Sequence, residues 1–221
     1  MRATRRLLLG GALGMAASPS FASADGSGRI DAMFIVEGEG VPPREVQVWT
    51  PPGYDRAGHA LPVIYMHDGQ NLLAQDPRPV GPFGRWNVDR VLAALIVRRI
   101  VPPTIVVAID NGPNRAGEYL PKGAFDIAAA RGVQVATSAG RPVSSGDVVS
   151  DGYLRMIVEV VKPRIDQAYR TDPRPGATCL MGSSMGGLIS LYGLCRHPEV
   201  FGQAACLSTH WIIGDGAMID Y

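Results

Sequence analysis

The chain has 221 residues, of which 46% are hydrophobic, and carries 21 basic against 20 acidic side chains. That length supports one domain with a sizeable core. The balanced charge, with no polybasic run, argues against nucleic acid and anionic membrane surfaces as partners.

The N-terminus reads MRATRRLLLGGALGMAASPSFASADG. Three arginines precede an apolar stretch, Leu7 to Ala17, that is too short to span a bilayer, and Ala22-Ser23-Ala24 follows ahead of Asp25. Residues 1–24 are therefore expected to be a cleavable export signal. A twin-arginine signal and a general secretory signal that happens to carry two arginines both fit Arg5-Arg6. The remaining domain, 25–221, would be periplasmic or secreted, with 18 basic and 20 acidic side chains and no stable membrane span.

Five β-rich runs follow in order: Val46 to Thr50, Pro62 to His67, Thr104 to Asp110, Ala177 to Met181 and Gln203 to Ser208. Helical patterns alternate with them, which predicts an α/β fold with a mostly parallel central sheet and helices on both faces. Val88, Val91, Leu92, Leu95 and Ile96 repeat at helical spacing and predict one amphipathic helix. Tyr153, Ile157, Val160, Val161, Ile165 and Ala168 predict a second, which Pro163 should kink or divide. A third should run from about Ser184 to His197, ahead of Pro198. Residues 68–85, 111–123 and 131–150 read as loops at strand ends, where ligand sites of open α/β sheets are built. Cys179, Cys195 and Cys206 sit in apolar patterns and are expected as buried thiols, with a Cys179–Cys206 disulfide as the alternative.

The chemistry concentrates in CLMGSSMGGLISLYGL, residues 179–194. A bare G-x-S-x-G is weak evidence, since chance supplies roughly 0.2 such pentapeptides in a chain of this composition. Here the pentapeptide joins an apolar strand directly to a helical pattern with no spare residue. A reversal this tight holds Ser184 in strained geometry and leaves little space for side chains at Gly182 and Gly186. Ser184 Oγ would then stand at a helix N-terminus, with the Met185 N–H free to donate to a developing oxyanion. A Gly-Ser turn that merely caps the helix is the alternative.

A second element agrees. The apolar PVIYM leads into His67-Asp68-Gly69-Gln70-Asn71 at the end of a central strand, where acyl transfer needs its other oxyanion donor, and the Gln70 N–H is the candidate. His67 and Asp68 are adjacent on an extended segment and point to opposite faces, so they cannot act on one proton. His67 reads as structural; Asp68 either orients the loop or contacts substrate.

Together VQVWTPPGYD, PVIYMHDGQNLL, PPTIVVAIDNGPNRAGEYLP, VVKPRIDQAYRTDP and MGSSMGGLISLYGLCRHPEVFG resemble the "putative esterase" family of α/β-hydrolases, over roughly residues 44–211. That family includes feruloyl and acetylxylan esterases, siderophore esterases, S-formylglutathione hydrolase and mycolyltransferases. The resemblance implies a serine carboxylic-ester hydrolase with Ser184 as nucleophile and the amides of Gln70 and Met185 as its oxyanion hole. It also implies that Trp86, Asn111, Arg115, Glu118 and Trp211 lie near a groove for a small-molecule, carbohydrate-linked or siderophore-type ester. An acyltransferase, and a non-catalytic carbohydrate or siderophore-binding module, are the alternatives.

In the family the catalytic acid and histidine follow the nucleophile on later strands, and LSTHWIIGDGAMIDY reaches only the sixth strand and the next helix. The chain is therefore expected to be C-terminally incomplete and nearly inactive. His210 with Asp215 is a possible substitute pair; the favoured expectation is that His210 and Trp211 line the pocket. No Rossmann glycine pattern, P-loop or metal-spaced histidine cluster appears, so neither cofactor nor metal is expected.

Overall fold

The computed structural model of the protein describes residues 26–31, 33–80, 84–137 and 140–221. The export-signal reading of residues 1–24 lies outside the described residues. Seven strands form one sheet: β1 (Arg29–Ile30), β2 (Phe34–Gly38), β3 (Val41–Thr50), β4 (Val63–His67), β5 (Ile105–Ile109), β6 (Thr178–Ser183) and β7 (Gln203–Leu207). Their order is β1-β3-β5-β4-β6-β7, with β2 also on β3. β5, β4, β6 and β7 run parallel, while β3 is antiparallel to β5 and to both N-terminal strands.

All five predicted strands form, and β3 begins five residues earlier than expected. Pro42 and Pro43 break the sequence signal there but are tolerated, because β5 pairs only with Val46–Trp49 and leaves this stretch of β3 an open edge on that side. Strand residues alternate between faces as the pleat requires. On β5, Ile105, Val107 and Ile109 join the larger apolar cluster, whereas Val106 and Ala108 join the smaller one on the other side.

The helices are α1 (Val88–Val97), α2 (Arg115–Tyr119), α3 (Lys122–Ala130), α4 (Ser150–Met156), α5 (Lys162–Ala168), α6 (Met185–Arg196) and α7 (Ala217–Asp220). α4 and α5 are joined by a π-helical segment, Ile157–Val161, directly ahead of Pro163. Proline offers no N–H to the preceding turn, so the predicted break is absorbed as a widened turn. Tyr153, Ile157, Val161 and Ile165 are buried as expected, but Val160 is exposed.

Three expectations are corrected. Residues 111–123 are not all loop: Asn114 accepts from the Gly117 N–H and caps α2, and α3 starts after Pro121. The α1 stripe is corrected at Val91: Ile96 is buried and Val88 and Leu92 pack against the smaller apolar cluster as expected, with Ala93 and Asp89, which accepts from the Ala74 N–H at 2.8 Å, buried beside them. Val91 is left 54% exposed and, with Val88 and Leu92, borders an apolar groove over Ile64, Met66, Val106, Met181 and Leu207. The three cysteines are free, Cys195 is exposed and the other two are half-buried. Cys206 is on β7, which among the described residues has no strand on its outer side, and Cys195 is near the outer end of α6.

Candidate active site

β6 ends at Ser183, α6 begins at Met185, and Ser184 is the single residue between them, at φ 58° and ψ −118°. A non-glycine residue in that region costs on the order of 1–3 kcal/mol and persists only where its surroundings impose it. The surroundings do so. The Ser184 N–H donates to Leu207 O at 2.9 Å, and its carbonyl accepts from Gly187 at 3.0 Å and from His210 at 3.2 Å. A Cβ at Gly182 would stand 2.7 Å from the Gly186 carbonyl carbon and oxygen, so the strand and helix meet backbone to backbone.

The first turn of α6 packs against the end of β4. A Cβ at Gly186 would lie at ordinary contact distance, 3.6 Å from Asp68 Oδ2 and 3.7 Å from His67 Cβ, so the expected crowding holds at Gly182 and not at Gly186. Asp68 is left-handed, at φ 61° and ψ 43°, and starts the 3-10 turn Gly69–Asn71. Met185 is the first residue of its helix and Gln70 lies within that 3-10 turn, so neither amide has an acceptor one turn back inside its own element. The turn is pinned from several directions. The Asp68 N–H donates to Tyr119 Oη at 3.1 Å, and Gln70 Oε1 accepts from the Asn111 N–H at 3.3 Å. The Asp68 carboxylate accepts from Asn111 Nδ2 at 2.7 Å and from Arg115 Nε and Nη2 at 2.7 and 2.8 Å. Burial alone would raise this carboxyl; the Arg115 fork and the Asn111 amide outweigh burial and hold it below the ordinary carboxylate value.

Below this turn is a buried polar cluster. His67 Nδ1 and Tyr153 Oη share a hydrogen bond of 2.7 Å, and burial pushes the imidazole down to about 4, so it is neutral at pH 7. His67 Nε2 has no partner and is shielded from solvent. Glu118 is fully buried and accepts from Arg44 Nη1 and Nη2 at 2.9 and 3.0 Å and from the Gly112 N–H at 2.8 Å.

Above Ser184 opens a cavity of about 540 Å³ lined by Arg115, Ala116, Leu120, Ala136, Thr137, Val143, Ser184, Met185, His210 and Ile213. The structure thus brings Ser184, Met185, Arg115 and His210 together at one cavity, with Asp68, Asn111 and Gln70 as the layer that holds Arg115 and the Gly69–Asn71 turn. Glu118 is not at the cavity surface; it ties α2 to β3. Trp86 is on the other face of the sheet, in the apolar groove beside α1. Trp211 is 39% exposed next to His210 but does not line the cavity. Among the described residues no histidine is hydrogen-bonded to the Ser184 hydroxyl. None of the described residues forms a cluster of three or more potential metal ligands, and no helix among them is long and apolar enough to cross a membrane.

The sequence reading missed the cavity wall contributed by Ala136, Thr137 and Val143. An isolated bridge between Ala136 and Pro142 folds this stretch back on itself. The alternation of Val133 and Val135, both packed into the core, was the available signal.

Comparison with known proteins agrees with this fold. The profile of a family described as "Putative esterase" matches residues 42–215. A Bacillus subtilis protein described as "Uncharacterized protein YbbA" is 24% identical over 169 residues, 76% of this chain and 58% of that one. The siderophore hydrolase EstA of Aspergillus nidulans superposes with a TM-score of 0.64 at 20% identity, covering 94% of this chain and 65% of that one. The enterobactin esterase FES of Shigella flexneri, solved in the presence of enterobactin, superposes with a TM-score of 0.57 at 24% identity, covering 81% of this chain and 37% of that one. The chain therefore spans between about a third and two thirds of the length of these proteins.

Proposed function

The chain belongs to the "Putative esterase" family, and from that premise we propose that it is a serine carboxylic-ester hydrolase working through an acyl-enzyme on Ser184. The observation that carries the reading is the strained Ser184 backbone, φ 58°, between β6 and α6 at the floor of a cavity of about 540 Å³. Ser184 Oγ attacks the ester carbonyl, the Gln70 and Met185 amides receive the developing oxyanion, the alcohol departs, and water resolves the acyl-enzyme. The packing of Gly186 against Asp68 supports that pairing of amides, since it sets the two turns side by side.

Export through residues 1–24 is proposed from the Arg-rich, apolar and Ala-Ser-Ala segments. A siderophore-type or carbohydrate-linked ester is proposed as substrate, supported by the siderophore hydrolase and enterobactin esterase among the structural neighbours. We propose that the 221-residue chain by itself turns over slowly, because among the described residues no histidine is hydrogen-bonded to the Ser184 hydroxyl and His210 shares only the cavity with it. Losing triad members costs on the order of 10⁴–10⁶ in turnover while the oxyanion hole and binding keep a residue of it.

A p-nitrophenyl ester series assayed with purified protein tests this. Weak turnover that disappears in Ser184→Ala is the expected result. Turnover that Ser184→Ala leaves unchanged would remove the nucleophile from its role.

A further inference from the structure

We propose that Arg115 makes the cavity selective for esters that carry a carboxylate on the acyl or alcohol arm; this rests on the reading of Ser184 as nucleophile. The guanidinium meets Asp68 side-on, through Nε and Nη2, and lies 4.8 Å from the Tyr119 ring centroid. A side-on pair uses two of the five N–H groups. Both N–H groups of Nη1 and the second of Nη2 are directed away from Asp68 by the planar fork, and no protein acceptor meets them among the described residues.

Burial separates the two halves of the ion pair. The Asp68 side chain is 5% exposed, whereas that of Arg115 is 35% exposed and borders the cavity that holds Ser184. The positive end of the pair therefore faces the ligand space. No aspartate or glutamate lines that cavity among the described residues, and the first turn of α6 adds its own partial positive charge beside Ser184. Leu120, Val143, Met185 and Ile213 supply apolar wall beside the polar Thr137 and His210, so an aliphatic or aromatic spacer would fit along it between a scissile carbonyl at Ser184 and an anion at Arg115. The fixed fork suits a planar carboxylate better than a point charge does.

The test uses ω-carboxy methyl esters, from monomethyl malonate to monomethyl adipate, against their ω-carboxamide counterparts. Binding is measured by calorimetry at low salt on the full chain carrying Ser184→Ala, which prevents turnover. At least one acid should bind about tenfold or more tightly than its amide, and that preference should vanish in Arg115→Gln and shrink in Arg115→Lys. Since Arg115→Gln leaves Asp68 buried and unpaired, the Asp68→Asn/Arg115→Gln double variant is measured too, and it should bind acid and amide equally. Equal affinity for acid and amide at every length, no saturable binding by any acid, or a preference that survives the double variant would each overturn the assignment. These outcomes read charge selectivity alone, so they are separate from the Ser184→Ala turnover assay that decides the nucleophile.

Discussion

Replacing Arg44 with methionine removes one half of the most deeply buried ion pair among the described residues and makes the sharpest stability test. Arg44 and Glu118 side chains are 1% and 0% exposed, and their two hydrogen bonds tie α2 to β3 at the base of the site. Without Arg44, Glu118 keeps only the Gly112 N–H. An uncompensated buried carboxylate costs about 3–5 kcal/mol, a large part of the 5–15 kcal/mol that holds a domain folded. At roughly 2–4 °C per kcal/mol for a chain of this size, the melting temperature should fall by about 6–20 °C. Adding Glu118→Gln removes the charge while preserving an acceptor for Gly112, so the Arg44→Met/Glu118→Gln double variant should recover at least ~1 kcal/mol of the single variant's loss. Urea titration with matched m-values reads both. A loss below ~1 kcal/mol in Arg44→Met, or a double variant as unstable as the two single losses added together, would refute the reasoning.

Three further outcomes follow from the geometry. The His67 imidazole is held near pKa 4 in the fold against 6.5 when exposed, so its contribution is fully present above about 6.5 and is lost as pH falls toward 4. His67→Leu should flatten the slope of stability against pH across that window, as read by urea midpoints; an unchanged slope would contradict the neutral, buried placement. Gly182→Ala drives a methyl into the Gly186 backbone, and should cost roughly 1–3 kcal/mol along with esterase turnover; a fully active, undestabilised variant would mean that strand and helix do not meet as described. Ser184→Gly releases the φ 58° strain and should raise stability by about 1 kcal/mol while abolishing turnover; a destabilised variant would show that the backbone there is relaxed.

Strand–helix alternation, the Gly-Ser-Gly junction and the polar turn after β4 were legible because each follows from local chemistry: β-branched runs, glycines where backbones touch, an apolar strand leading into a polar turn. Other features were set by contacts that sequence order does not display. The burial of Asp89 goes with its bond from the Ala74 N–H, and the burial of Glu118 with Arg44, which is 74 residues away. The same holds for Trp86, whose place beside α1 follows from its backbone bond to Asn71 rather than from proximity to Ser184. The early start of β3 was hidden by two prolines that an open edge tolerates.

The central claim is that Ser184 carries the acyl group, and the most direct measurement is mass mapping after prolonged incubation with p-nitrophenyl acetate. The account predicts slow transfer of one acetyl group to the peptide containing Ser184 and none to that peptide in Ser184→Ala. Acetylation confined to other residues, or an identical adduct pattern in the variant, would contradict it.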